Sequence, residues 1–187
     1  MILGIGMGAA VALTVLAVRV AKQPDAFRIE RSITIAAPAQ AIFSYLNDFH
    51  RWPAWSPYVD MDPNMQTTYS GAPAGVGAVY EWTGNKKVGA GKMTIREVTP
   101  DRRVGFDLHF TRPMPANNVG EFVLEPAPGG VRVTWATNGT NNLLGKLFSL
   151  AVDVDKMVGK DFEKGLATLK RLCEAQSSAA LSAGATN

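Results

Sequence analysis

The sequence predicts an α+β fold in which seven antiparallel strands form one sheet and a long C-terminal helix covers one face of that sheet. From Leu143 to Ala175, apolar residues recur in steps of three and four, which places them on one side of a helix. Between residues 66 and 138, apolar and polar residues alternate instead, as in strands that are buried on one face. A helix of about 30 residues is about 45 Å long, so its apolar side requires a broad apolar surface such as a sheet.

The composition indicates one compact domain with a short appendage. The chain has 187 residues, of which 47% are hydrophobic, and this is enough for a single core. Its net charge of +3 comes without any long run of like charge, so we expect no nucleic-acid partner. The single cysteine, Cys173, excludes an intrachain disulfide and a cysteine metal cluster. The chain has no HExxH, CxxC or glycine-rich phosphate loop, and we therefore expect no metal and no cofactor.

The N-terminal segment has the composition of a membrane anchor. Residues 2–18 contain no charge, and Arg19 and Lys22 follow them directly. If the charged end of Arg19 reaches toward water, the apolar span covers residues 2–21, about the 20 residues that a transmembrane helix needs. The basic residues follow the apolar stretch, whereas in a cleaved signal peptide they precede it. We therefore predict a membrane protein with a single-pass anchor over residues 1–22. The positive flank favours a cytoplasmic domain, and the opposite orientation stays open.

The first strand of the domain is predicted over Phe27 to Ile35, where apolar and polar residues alternate. Arg31 falls on the apolar face of this strand, where an unpaired guanidinium would be costly to bury. We expect Arg31 to turn outward or to pair with a carboxylate of this chain, and pairing with a ligand is the alternative. Pro38 then suits the first turn of a short helix, and residues 49–60, with two prolines, predict a second, broken helical turn.

Six further strands are predicted as an antiparallel meander, because the turns between them are too short for crossover helices. Aromatic and aliphatic residues dominate one face of these strands, and charged residues and threonines occupy the other. The six strands are predicted over Gln66 to Ser70, Gly77 to Thr83, Gly91 to Val98, Val104 to Thr111, Asn118 to Glu125 and Val131 to Asn138.

The periodic pattern bounds the domain at residues 27–175. After Ala175 the sequence QSSAALSAGATN lacks periodicity and large apolar residues, which predicts a disordered tail over residues 176–187. The predicted organisation is therefore an anchor at residues 1–22, one domain at residues 27–175 and a tail.

A family resemblance is carried by this order of elements and by the segments ITIAAPAQAIFSYLNDFHRWPAWSPY, YEWTGNKKVGAGKMTIREVTP and VRVTWATNGTNNLLGKLFSLAVDVDKMVGKDFEKGLATLK. From about Phe27 to Glu174 the chain resembles the START-related superfamily SRPBCC, in its polyketide cyclase/dehydrase-like branch. The resemblance implies a helix-grip fold, in which a curved antiparallel sheet wraps around the long helix and leaves a largely apolar cavity between them. Members include lipid- and hormone-binding proteins and aromatase/cyclases.

The leading functional hypothesis is that the domain binds a hydrophobic or amphipathic small molecule, lipid- or polyketide-like, in this cavity. The first alternative is an enzyme of the cyclase or dehydratase type, which would need acid and base groups inside the cavity. The second alternative is a protein-interaction or stress-related domain in which the cavity is a filled core. The acid/base groups that the inward phase offers are Tyr69, Tyr80, Arg31 and His50.

We assign no catalytic residue from the sequence. His109 lies on the polar phase of its strand and should face solvent, and His50 is expected at the surface near the cavity entrance. The residues expected to line the cavity are inward-facing aromatic residues, Met93 and the middle of the helix's apolar side. They are Trp52, Trp55, Tyr80, Trp82, Met93, Phe106, Phe110, Phe122, Trp135, Val154, Met157 and Val158.

Overall fold

The computed structural model describes residues 14–184, and its strands form one seven-stranded antiparallel sheet in the order β1-β7-β6-β5-β4-β3-β2. Each strand pairs with its neighbour in sequence, except that β1 returns beside β7. The predicted α+β fold with a seven-stranded antiparallel sheet is therefore confirmed. The strands are β1 (Ala26–Ile35), β2 (Gln66–Gly71), β3 (Ala78–Thr83), β4 (Ala90–Thr99), β5 (Arg103–Arg112), β6 (Ala116–Ala127) and β7 (Gly130–Thr140).

Short helices carry the chain from one edge of the sheet, β1, to the other edge, β2. They are α2 (Ala39–Leu46), a 3₁₀ helix (Phe49–Ala54) and α3 (Pro57–Met61). A helix at residues 14–21, here α1, precedes β1, and α4 (Leu143–Ala151) and α5 (Val154–Gly184) follow β7. The two short helices predicted after the first strand are thus present.

The inner face of the sheet, which the helices cover, is the apolar face that the alternation predicts. Trp135 on β7 lies opposite Phe122 on β6, which in turn lies opposite Val104 on β5. All three are at most 4% exposed. Register shifts interrupt the pairing of β4 with β5 at two places, and irregularities of this kind bend a strand.

The helix predicted over Leu143 to Ala175 is two helices, α4 and α5. Val152 has extended backbone angles between them, and the carboxylate of Asp153 accepts a hydrogen bond of 2.9 Å from the backbone N–H of Lys156. A side chain that caps the first turn in this way starts a new helix. The apolar spacing continues across the break, which is why periodicity alone did not predict it.

Helix α5 continues to Gly184, so the tail predicted to be disordered is helical through that residue. Alanine has the highest helix propensity, and a serine hydroxyl can bond to the carbonyl four residues earlier. Ser177 and Ser178 both do so, at 3.0 Å from the carbonyls of Cys173 and Glu174. Residues 185–187 lie outside the described part of the chain.

The prediction of a single-pass membrane protein is wrong for the part of the chain that the structure describes. Between residues 14 and 184 no helix combines the length and the apolar character that crossing a membrane requires. A span needs about 20 residues, whereas the described part of α1 covers residues 14–21. Most of the predicted anchor, residues 1–13, lies outside the described residues.

Candidate functional site

The 3₁₀ helix presents three aromatic side chains on one side. With three residues per turn, residues three apart in such a helix lie above one another. Phe49, Trp52 and Trp55 follow this spacing, with Trp55 at its C-terminal end, and they are 1%, 5% and 2% exposed. The local sequence FHRWPAW therefore sets two tryptophans against the inner face of the sheet.

Five aromatic rings meet at the centre of the inner face. Trp52 lies edge-on to Phe106 and Phe122, with ring centroids 5.6 and 5.7 Å apart. Trp55 lies edge-on to Trp135 at 5.4 Å. Edge-to-face contacts of this kind are favourable beyond the area that they bury. Because side chains fill this centre, a ligand would have to displace rings to occupy it.

A second aromatic group lies over β3, β4 and β5. Tyr80 stacks on Trp82 with centroids 6.0 Å apart, and Trp82 lies edge-on to Phe110 at 5.6 Å. Phe49 joins this group to the central rings, because its centroid is 5.8 Å from Tyr80 and 4.8 Å from Trp52. The inner face is therefore one continuous aromatic surface.

Helix α5 closes this surface along only part of its length. From Phe162 onward a row of its apolar residues is at most 3% exposed, whereas the apolar residues before Phe162 are half-buried or exposed. Met157 is 47% exposed, and Val154 and Val158 are half-buried. The first two turns of α5 thus form the open end of the helix. The residues of its closed part are Phe162, Leu166, Leu169 and Cys173.

The boundary between the open and closed parts of α5 lies over two tryptophans. Phe162 stacks on Trp135 with centroids 4.1 Å apart and planes at 10°. One turn later, a Cβ at Gly165 would lie 2.9 Å from the Trp135 ring and 3.6 Å from the Trp55 ring. The absent side chain at Gly165 lets the helix approach both indoles closely.

Polar groups mark the rim where α3 meets α5. Lys164 on α5 donates to Asp60 on α3 at 2.8 Å, and both side chains are exposed. Burial raises the pKa of the Tyr58 hydroxyl, and the nearby Asp161 carboxylate raises it further. Burial also raises the pKa of Asp161. The rim therefore has one solvent-exposed ion pair and two partly desolvated ionisable groups.

One buried indole N–H has no hydrogen-bond acceptor in the part of the chain that the structure describes. Nε1 of Trp52 donates to the Leu46 carbonyl at 3.2 Å, and Nε1 of Trp82 donates to the Val88 carbonyl at 3.0 Å. Nε1 of Trp55 is buried and finds no partner among residues 14–184. An unpaired buried donor costs about 1–3 kcal/mol, so such groups are uncommon in folded proteins.

Arg31 lies on the inner phase of β1, as predicted, and it pairs within the chain. Its guanidinium donates to the Asp155 carboxylate at 2.9 and 3.2 Å and to Glu163 at 2.9 Å. The bond to Asp155, and after it the bond to Glu163, raises the pKa of Arg31. The bond from Arg31 in turn lowers the pKa of Asp155. The expectation of an intramolecular partner is confirmed, and Arg31 fastens the start of α5 to the sheet edge.

Three of the groups considered for acid/base chemistry form one row. His50 stacks on Tyr69 with centroids 4.3 Å apart, and Tyr69 lies 5.4 Å from Tyr80. Nδ1 of His50 is 3.0 Å from Asp48, and the imidazole is exposed. Burial raises the pKa of Tyr80 to about 12, so its hydroxyl stays protonated at neutral pH. His109 is exposed, as its strand phase predicts, and its Nδ1 lies 2.6 Å from Asn117 Oδ1.

An apolar groove of about 560 Å³ lies outside the sheet, between α1 and α4. Its polar residues are Asn141 and Lys146, and Lys146 forms an ion pair with Asp25. The sequence did not predict this groove, because it depends on the position of α1. Its apolar walls are Leu16, Ala17, Val20, Ala21, Leu143 and Leu147.

The residues predicted to line a cavity fall into three places. The central rings and the second aromatic group contain most of them, with Met93 opposite Tyr80 in the sheet and 9% exposed. Val154, Met157 and Val158 lie on the open end of α5. Sequence reasoning missed Phe49, although the three-residue spacing of Phe49, Trp52 and Trp55 was a usable signal. Within residues 14–184 no three His, Cys, Asp or Glu side chains lie close enough together to hold a metal ion.

Residues 26–174 match the family described as polyketide cyclase / dehydrase and lipid transport. The chain belongs to this family. The resemblance inferred from the sequence is therefore confirmed, and it covers nearly all of the described domain. No curated protein sequence matches the chain.

Solved structures similar to this member of the family share its fold at low sequence identity. Protein CV1439 from Chromobacterium violaceum is 16% identical, with a TM-score of 0.56 over 81% of this chain and 99% of that chain. The Aha1 dimer from Colwellia psychrerythraea is 17% identical, with a TM-score of 0.57 over 79% and 96%. The di-domain ARO/CYC StfQ of the steffimycin biosynthetic pathway is 9% identical, with a TM-score of 0.59 over 82% of this chain and 52% of StfQ. At these identities the likeness shows the fold alone.

Proposed function

We propose that this domain binds a hydrophobic or amphipathic small molecule between the inner face of the sheet and the first two turns of α5. The observation that carries the proposal is the change of burial along α5, from half-buried Val154 and Val158 to fully buried Phe162. Below that change lies a continuous aromatic surface, and apolar walls with few polar groups are typical of small-molecule sites. The family description, which includes lipid transport, agrees with a ligand of this class.

The proposed entrance lies between α3 and α5, at the boundary between the open and closed parts of α5. The ion pair of Lys164 with Asp60 spans this rim, and its two side chains are 54% and 69% exposed. Exposed pairs contribute little to stability, so separating these two helices costs little at this contact. Rings of the central cluster must then move aside to admit the ligand.

Catalysis of the cyclase or dehydratase type is the second candidate, and the row formed by His50, Tyr69 and Tyr80 favours it. The protonated Tyr80 hydroxyl suits a proton donor, and the carboxylate of Asp48 orients the imidazole of His50. We favour binding because Arg31, the fourth acid/base candidate, is engaged by Asp155 and Glu163. His50 is also exposed at the surface.

Titration with the fluorescent probe 2-ethylnaphthalene tests the proposed site. Val158→Trp places a large side chain in the opening and should weaken binding about tenfold or more. Leu172→Trp is the matched control, because Leu172 is also half-buried on α5 but lies along its closed part. This control should leave the affinity unchanged.

Two results would contradict the proposal. One is the absence of probe binding by the unsubstituted protein. The other is binding that Leu147→Gln abolishes and Val158→Trp leaves intact, because Leu147 lines the outer groove between α1 and α4.

A further inference from the structure

Trp55 is the buried indole whose N–H lacks an acceptor within residues 14–184. The buried indoles of Trp52 and Trp82, by contrast, each donate to a backbone carbonyl. Trp55 is 2% exposed, so solvent water does not reach it freely. Its N–H is thus a donor inside the aromatic core that a hydrogen-bond acceptor from outside the chain would satisfy.

The position of Trp55 matches the inner end of the proposed site. Its ring contacts Trp52, Phe122 and Trp135, with centroids 5.3 to 5.7 Å apart. Its benzo edge faces Gly165 of α5, one turn after the helix closes. A molecule that enters past Val158 and Phe162, with the central rings moved aside, can therefore reach Trp55 beside Gly165.

We infer that the ligand carries a neutral oxygen acceptor, such as a ketone or another carbonyl, which accepts a hydrogen bond from Nε1 of Trp55. This inference rests on the proposed function. A hydrocarbon would leave the N–H unpaired. A carboxylate would be buried as an uncompensated charge, because the rings that contact Trp55 carry none. A neutral carbonyl satisfies the donor without either cost, and Trp55 acts as the residue that selects for it.

Two probes of nearly equal size test this selection. 2-Acetylnaphthalene carries a ketone, and 2-ethylnaphthalene has the same ring system without an acceptor. Trp55→Phe keeps an aromatic ring and removes the N–H. This variant should weaken binding of the ketone about tenfold and change binding of the hydrocarbon by about twofold or less.

Trp52→Phe is the matched control, because Trp52 lies on the same 3₁₀ helix and its N–H already donates to the Leu46 carbonyl. It should affect the two probes equally. If Trp55→Phe also weakens the two probes equally, the acceptor inference is overturned while the binding site stands. If neither probe binds the unsubstituted protein, the proposed function fails and this inference fails with it.

A second measurement keeps the inference testable if Trp55→Phe does not fold. In the unsubstituted ¹⁵N-labelled protein, the indole N–H proton signal of Trp55 should move downfield when 2-acetylnaphthalene is added. It should not do so with 2-ethylnaphthalene. Equal movement with both probes would show that the N–H makes no bond to the ketone.

Discussion

The guanidinium of Arg31 occupies the space that a side chain at Gly159 would need. A Cβ at Gly159 would lie 2.0 Å from Nη2 of Arg31 and 2.3 Å from its Cζ. Arg31 comes from the edge strand β1, and Gly159 lies in the open end of α5. The missing side chain at position 159 therefore lets the guanidinium lie against the helix and reach Asp155 and Glu163 on either side of it.

Gly159→Ala should fail to stabilise the domain. An alanine in place of a glycine inside a helix adds about 1 kcal/mol to the free energy of unfolding through helix propensity. Here the new methyl group displaces the guanidinium, and the loss of its bonds should cancel that gain. In an Arg31→Ala background, the same substitution should recover the gain of about 1 kcal/mol, because nothing then occupies the space. Urea denaturation of the four proteins measures this, and additive effects would contradict the contact.

At neutral pH the ionised carboxylate of Asp155 should stabilise the fold, and that of Asp161 should destabilise it. The bond from Arg31 lowers the pKa of Asp155, so its ionised form stabilises the fold above the unfolded pKa near 3.8. That contribution is lost as the pH falls through the lower, folded pKa. Asp155→Asn should therefore lower the melting temperature at pH 7, and the difference from the unsubstituted protein should vanish at acidic pH.

For Asp161 the sign reverses, because burial raises its pKa. Its protonated form is the one that the fold favours, and stability is lost as the pH rises from 3.8 through the folded pKa. Asp161→Asn should thus raise the melting temperature at pH 7 and have no effect at acidic pH. Melting curves from pH 3 to pH 8 check both variants. If both substitutions change the melting temperature in the same direction at pH 7, the opposite roles of the two carboxylates are refuted.

The loss of stability on shortening side chains along α5 should show which part of the helix packs tightly against the sheet. Phe162→Ala removes a ring that stacks on Trp135 and is 3% exposed, which should cost about 3–5 kcal/mol. Val158→Ala removes two half-exposed carbon groups, and its cost should be about 1 kcal/mol. Chemical denaturation gives both values. A similar large loss for the two variants would mean that α5 is closed along its whole length.

The sequence predicted the sheet well, because side-chain alternation is a local property that the strand backbone dictates. It failed at the break between α4 and α5, where apolar spacing continues but the Asp153 side chain caps a new helix. The partner of Arg31 could not be predicted, because Asp155 and Glu163 lie more than 120 residues away in the chain. The unpaired N–H of Trp55 was equally hidden, since it depends on where loop carbonyls lie after folding.

The most direct test of the binding account is an NMR titration of the unsubstituted ¹⁵N-labelled protein with 2-ethylnaphthalene. The chain has four tryptophans and therefore four indole N–H signals to follow beside the backbone amides. We expect the Trp135 indole and the amides of Val158, Phe162 and Gly165 to shift, with the amides of Leu143 and Leu147 unchanged. Shifts confined to Leu143 and Leu147, or no shifts at all, would contradict binding between the sheet and the open end of α5.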